Sequence, residues 1–219
     1  MDKIRIAIDG PSGAGKSTVA KELARILGID YLDTGAMYRA GAYKLLGKDI
    51  KPDEVDRVVE ILSHTDIDYS NGNIILDGEI VNDKIRTQEI SSFASDISAI
   101  GKVREILVAL QKKMGSTKSI IMDGRDIGTV VMTDAEYKFF VTASLDVRAK
   151  RRWLELRGKG IDADLETVKN EIEKRDNNDS TREVTPLRMA DDAVLIDGTN
   201  LTVDETVGKI LAIIEGKDE

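Results

Sequence analysis

Gly10, Pro11, Ser12, Gly13, Ala14, Gly15, Lys16, Ser17 and Thr18 form one continuous run, and the spacing from Gly10 to Gly15-Lys16-Ser17 fits a G-x-x-x-x-G-K-[ST] phosphate loop. In such a loop backbone N–H groups surround phosphate oxygens, and glycines let the backbone come that close. Lys16 is then the charge that follows a transferred phosphoryl group. Ser17 is the hydroxyl that ligates Mg²⁺, and the N-terminus of the following helix adds partial positive charge behind both. The implied ligand is a nucleoside triphosphate with magnesium.

Two further groups of residues carry chemistry. Ser119-Ile120-Ile121-Met122 is a continuous apolar run that ends in Asp123-Gly124-Arg125-Asp126. Such a run suits the middle of a parallel sheet, and ligands of open α/β sheets bind beyond the carboxyl ends of the strands. Asp123, Arg125 and Asp126 are therefore expected in one crevice with the phosphate loop, against the alternative of a merely solvated loop. The second group is Arg148, Lys150, Arg151, Arg152, Arg157 and Lys159, on a helix that starts after Ser144 and ends near Gly158-Lys159-Gly160. Arg148 and Arg152 share a helical face. A charge run is usually a solvated face, but this one follows a sheet strand in a chain with a phosphate loop, which favours a flap closing over phosphates. His64, the lone histidine, sits at a helix end and receives no role.

The elements that must hold these groups are readable from periodicity. A strand precedes the phosphate loop, and Val19, Ala20, Leu23, Ile26 and Leu27 give the following helix one apolar face, closed by Gly28. Tyr31-Leu32-Asp33 is a short strand, Met37 to Leu46 a helix, and Pro52 the first residue of another that ends near His64. Ile67–Tyr69, Ile74–Leu76 and Ile80-Val81, separated by Asn71-Gly72 and Asp77-Gly78, make a small antiparallel meander. Helices follow from Gln88 to Ser98 and from Gly101 to Met114, the latter ended by Gly115. Lys138 to Thr142 and Ala193 to Asp197 are further strands, and Thr202 and Glu205 have capping-box spacing before a last helix.

The chain has 219 residues, of which 41% are hydrophobic, enough for one α/β domain with a full core. It has no cysteine, so neither a disulfide framework nor a thiolate metal site is available. A net charge of −8 argues against a broad nucleic-acid surface, and the sequence has no long apolar run or signal-like start. A cytoplasmic protein without membrane or nucleic-acid partners is expected. The apolar pattern leaves no spare face, which favours a monomer.

These residues resemble the bacterial-type cytidylate kinases over essentially the whole chain. Gly10-Pro11-Ser12-Gly13-Ala14-Gly15-Lys16-Ser17, Asp33-Thr34-Gly35-Ala36-Met37-Tyr38-Arg39, Ile85-Arg86-Thr87-Gln88-Glu89, Asp123-Gly124-Arg125-Asp126-Ile127-Gly128-Thr129-Val130-Val131, Arg175-Asp176 and Pro186-Leu187 carry the likeness. It implies a P-loop three-layer α/β/α fold with a central five-stranded parallel sheet, the meander as an insert (65–82) in an acceptor-binding region (36–114), and a mobile helical flap (148–164). It also implies transfer of the γ-phosphoryl group of ATP to CMP or dCMP, with Mg²⁺. By similarity Arg39 and Arg125 hold the acceptor phosphate, Ser95, Arg104 and Asp126 read the cytosine edge, and Asp123 belongs with them. Arg175 and Asp179 fall where the family contacts the sugar, Arg182 where it reaches phosphate, and Lys16, Arg148 and Arg152 neutralise the transition state. Asp33 orients magnesium through water or only starts a helix. The alternatives are another small-molecule kinase on this fold, such as a dephospho-coenzyme A kinase, and a non-catalytic nucleotide switch. The cytosine-reading positions oppose the first. The lack of an N-K-x-D guanine motif opposes the second, and Gly124 stands where an ATPase motor needs a glutamate.

Overall fold

In a computed structural model of the chain, which describes residues 3–70 and 72–216, the expected alternation of strands and helices is present. The first half runs β1 (Arg5–Asp9), α1 (Lys16–Leu27), β2 (Asp30–Asp33), α2 (Thr34–Leu46), α3 (Val55–Ser63), β3 (Ile67–Ser70), β4 (Asn73–Leu76), β5 (Glu79–Ile80) and α4 (Gln88–Ile97). The second runs α5 (Gly101–Thr117), β6 (Ile120–Gly124), a π-helical turn (Ile127–Val131), β7 (Tyr137–Thr142), α6 (Leu145–Gly158), α7 (Leu165–Thr181), β8 (Val194–Asp197) and α8 (Val203–Ile214).

Five strands form a parallel sheet in the order β2-β6-β1-β7-β8, and β3-β4-β5 form a separate antiparallel sheet. The apolar runs of the central strands feed both faces of the parallel sheet. Ile120 and Met122 of β6 join Ala7 and Leu32 in a core under α2, α4 and α5, whereas Ile121 joins Ile6, Ile8, Phe139 and Val141 in a core under α1 and α8. Ile67, Ile74 and Leu76 of the small sheet complete the first of these cores, which answers how three short strands can be stable. A third cluster, with Ala149, Leu156, Val168 and Ile172, belongs to α6 and α7 alone. In this order the chain leaves β1 toward β2 on one side and reaches β7 on the other, the reversal of direction beside which open α/β sheets form a ligand crevice. No helix among the described residues is long and apolar enough to cross a membrane.

Several boundaries differ from the sequence reading. α2 begins at Thr34, not Met37, because the Asp33 carboxylate accepts the Ala36 N–H at 3.1 Å and caps the first turn. α3 begins at Val55, and Pro52 lies in a preceding turn closed by Glu54, whose carboxylate accepts the Lys51 N–H at 2.9 Å. α5 continues through Gly115 to Thr117. A Cβ at Gly115 would lie 3.1 Å from Met122 Cε and 3.2 Å from Met132 Sδ, so this glycine permits close helix–sheet packing and does not end the helix. Asn71 of the first hairpin dipeptide lies outside the described residues; Gly72 and Gly78 take φ of +80° and +85°. The capping box of α8 forms as its spacing implied.

Candidate active site

The donor side begins where β1 ends. Gly10 has φ +147°, and a Cβ there would stand 2.0 Å from the Val141 carbonyl oxygen of β7, so only glycine fits. Gly13 and Gly15 have φ of +73° and +91°, which turns the loop back on itself and leads into α1. Lys16 is buried, its Nζ donating to the Pro11 carbonyl at 2.7 Å. Burial, reinforced by the Arg125 guanidinium, pushes its ammonium down to about 7. Ser17 Oγ donates to Asp123 Oδ2 at 2.8 Å and the Tyr31 phenol donates to Asp123 Oδ1 at 2.7 Å. Burial and the nearby Asp33 push the Asp123 carboxyl up to about 6. The register explains this crowding, since Asp33 and Asp123 are direct neighbours on β2 and β6.

Asp123, expected with the acceptor contacts, has its carboxylate bonded to Ser17 of the phosphate loop and to Tyr31. Asp33 has its oxygens engaged by the Ala36 N–H and by Arg39 at 2.7 Å. Against the upward push of burial, Arg39 and that N–H hold its carboxyl low. Of the two, Asp123 is the carboxylate set against the Ser17 hydroxyl.

A triphosphate arriving at this loop places negative charge against Lys16 and raises its affinity for a proton. At pH 8, above the free-site value of about 7, ATP binding is expected to take up about one proton, and the uptake should fade as the pH drops below 7. Calorimetric titrations in buffers of different ionisation heat measure it. Uptake that persists in Lys16→Met would assign the proton to another group.

On the flank of the loop lies a cleft of about 220 Å³ bordered by Ala14, Gly15, Val141, Arg151, Leu201 and Thr206. Arg151 spans it, donating to the Gly198 carbonyl at 2.8 Å and the Leu201 carbonyl at 3.2 Å.

The other side of the crevice is built by β6 and the elements facing it. Gly124 makes the turn because a Cβ would lie 2.7 Å from Thr34 Oγ1 and from Ile127 Cδ1. Asp126 and Arg104 form a buried ion pair, Oδ2 to Nη2, at 2.5 Å. Arg104 also donates to Thr185 Oγ1 and lies 5.5 Å from the centre of the Tyr38 ring. Arg125 donates through Nε to Asp179 at 2.7 Å, and Arg182 reaches the same carboxylate at 3.3 Å. Arg125, Arg182 and Arg175 hold the Asp179 carboxyl below its ordinary range in spite of burial. Arg175 itself is pushed down to about 10, by burial and by the like charges of Arg125, Arg39 and Arg152. Arg175 Nε, Arg182 Nη2 and the Tyr38 hydroxyl are buried without a hydrogen-bond partner. Converging cations and orphaned polar atoms of this kind fit a bound anion with polar edges.

The flap arginines separate. Arg148 is buried at the base of α6, donating to the Ala143 carbonyl at 2.9 Å, the Ser12 carbonyl at 2.8 Å and Asp176. Asp176 in turn accepts the Ser12 N–H at 2.9 Å, so α7 and the phosphate loop are joined. Arg152, one turn on, pairs with Glu155 at the surface at 2.9 Å. Ser95 is half-buried on α4. Sequence reasoning gave no role to Tyr31, Asp176 or Thr185. Asp176 stood within a quoted motif, but nothing in its spacing tied it to Ser12; Thr185, at φ +50°, serves Arg104 and Arg182 together through a loop no periodicity describes.

Residues 6–216 match the family model described as cytidylate kinase. The chain is 52% identical to the cytidylate kinase of Caldicellulosiruptor saccharolyticus, over 97% of this chain and 96% of that one. It is 50% identical to the cytidylate kinase of Caldanaerobacter subterraneus subsp. tengcongensis, over 96% and 94%. Among solved structures, the shikimate kinase of Bacteroides thetaiotaomicron superposes with a TM-score of 0.51 at 12% identity, over 97% of this chain and 98% of that one, a likeness of fold.

Proposed function

The chain belongs to the cytidylate kinase family, and from that premise we propose how its own residues transfer the γ-phosphoryl group of ATP to CMP or dCMP, giving ADP and CDP or dCDP. The observation that carries the assignment of roles is the division of the crevice by the end of β6. Asp123 faces Ser17 and the phosphate loop on one side, while Arg125 and Asp126 face Asp179 and Arg104 on the other. Donor and acceptor phosphates then meet across one strand end.

On the donor side the loop from Gly10 to Thr18 wraps the phosphates of ATP, and Lys16 follows the transferred group. Ser17 and Asp123 would hold magnesium, whose preference for hard oxygens their hydroxyl and carboxylate fit. The ion, when bound, spreads negative charge off the β- and γ-phosphates. Asp33, spent on capping α2 and holding Arg39, serves it only indirectly.

On the acceptor side Arg39, Arg125 and Arg182 grip the phosphate of CMP. Arg175 and Asp179 lie at the sugar, and Ser95, Arg104 and Asp126 at the base. The acceptor region spans residues 36–114 with its β insert at 65–82. Phosphoryl transfer asks for positioning and charge neutralisation more than for a strong base, because the transition state is loose. Lys16 and the flap (148–164) supply these, with Arg152 as the arginine free to follow a closing α6 and Arg148 as the tie between that helix and the phosphate loop. Closure keeps water from the γ-phosphoryl group. One chain provides both halves of the site, which suits a monomer.

A coupled ADP-release assay across nucleoside monophosphates tests the reading. CMP and dCMP should be turned over, UMP with a specificity constant at least about tenfold lower, and ADP release without an acceptor should stay at background. Equal release with and without CMP overturns it.

A further inference from the structure

One buried carboxylate stands between the two halves of the crevice without a part in the scheme above. Asp9 is the last residue of β1 and the one before Gly10. Its carboxylate is turned to the segment after β6: Oδ1 accepts the Ile127 N–H and Oδ2 the Gly128 N–H, both at 2.8 Å. Those amides follow Arg125 and Asp126 directly, at the start of the π-helical turn. The turn's own bonds, Val131 N–H to Asp126 carbonyl at 3.2 Å and Met132 N–H to Ile127 carbonyl at 2.7 Å, leave the Ile127 and Gly128 amides pointing outward to be satisfied elsewhere.

We propose that Asp9 is a positioning residue, which fixes the Arg125-Asp126 segment against the phosphate loop by holding the two amides at the mouth of the π-helical turn. Asp9 is 4% exposed, and burial pushes its carboxyl up to about 6 even with both N–H donors in place. A buried charge is retained at this joint although its own desolvation opposes it. The neighbouring strand does not need such a bond, since β1 and β6 already pair in register up to Asp9 and Gly124. Beyond that ladder, this carboxylate ties the segment that follows Arg125 and Asp126 directly to the last residue of β1, next to Gly10. The fit is close on the far side too: a Cβ at Gly128 would lie 3.4 Å from Asp9 Oδ2 and 3.2 Å from Lys138 Cδ.

The inference rests on Arg125 and Asp126 as acceptor contacts, and Asp9→Asn tests it in the intact enzyme. An amide has one acceptor oxygen, so its NH₂ group would face the second N–H donor to donor. The expected result is a Michaelis constant for CMP raised about ten- to a hundredfold, the effect of one lost charge-assisted hydrogen bond, with that for ATP unchanged within about twofold. The preference for CMP over UMP should shrink, and the Ile127 and Gly128 amides should exchange hydrogen faster in Asp9→Asn than in wild type. Gly128→Ala crowds the same joint without removing a charge and should weaken CMP selectively as well, which covers an Asp9→Asn that fails to fold. Michaelis constants for CMP and ATP that rise together in either folded variant, or an unchanged one for CMP, overturn the role. A wild-type enzyme without CMP turnover would instead overturn the acceptor assignment itself.

Discussion

Lys16→Met is expected to lower turnover at saturating ATP and CMP by at least about a hundredfold, and by up to about a thousandfold, while the thermal midpoint stays the same or rises. The two halves of this outcome come from one fact, the burial of the ammonium. Lys16 donates to the Pro11 carbonyl at 2.7 Å, and burial pushes it down to about 7. A group whose charged form is disfavoured in the native state costs stability at every pH below its ordinary value of 10.5. A methionine of similar length removes that cost and loses one hydrogen bond to a carbonyl, typically about 1 kcal/mol, so the two changes largely offset each other. Nothing offsets the loss in the transition state. Preorganised charge at a transferring phosphoryl group is worth about 3–4 kcal/mol in a water-excluded site, which is the expected rate factor. Stopped-flow or steady-state ADP release measures the first half and calorimetric unfolding the second. Near-wild-type turnover would remove the phosphate loop from the mechanism, and a large fall in midpoint would make Lys16 a structural residue.

The parts of this site that were legible in the sequence share a physical reason. The phosphate loop, the strand that carries Asp123 and the capping box at Thr202 are each specified within a few residues, by glycine conformations, apolar runs or side-chain-to-backbone bonds. The same spacing puts Lys16 and Ser17 in the first turn of α1, directly after the loop. Gly115 was misread because a glycine late in a helical pattern has two explanations, a helix end or a close approach, and only the position of Met122 and Met132 decides between them. Pro52 was misread because the Glu54 carboxylate closes a turn over it before the helix starts. Asp176 and Ser12 are 164 residues apart, Arg104 and Thr185 81 apart, and Tyr31 and Asp123 92 apart. Such pairs are created by sheet order and by the return of α7 to the crevice, and no local pattern encodes them.

Asp126→Asn is expected to lower the specificity constant for CMP by about ten- to a hundredfold and that for UMP by less, so that discrimination between the two bases shrinks. Asp126 Oδ2 is held by Arg104 at 2.5 Å, so the proposed contact with a base falls to its other oxygen. That oxygen can accept from the amino group of cytosine; toward the carbonyl of uracil it stands acceptor to acceptor. The loss of one charged hydrogen bond is worth about 1.5–3 kcal/mol for CMP, and an asparagine turned to donate recovers part of the loss for UMP. Arg104 supplies the competing effect. It is 2% exposed, and replacing its carboxylate partner leaves a buried guanidinium short of charge, at a cost of up to about 3–5 kcal/mol when a buried pair is broken outright. Asparagine still accepts from Arg104, as does Thr185 Oγ1, so the fall in stability should be smaller than that. The two effects separate by substrate. A fall in the stability of the fold penalises both nucleotides alike, because it acts before either binds, whereas a lost base contact penalises CMP more than UMP. A ratio of the two specificity constants that stays at the wild-type value in Asp126→Asn, with both reduced, would mean that Asp126 serves Arg104 and that the base is read elsewhere.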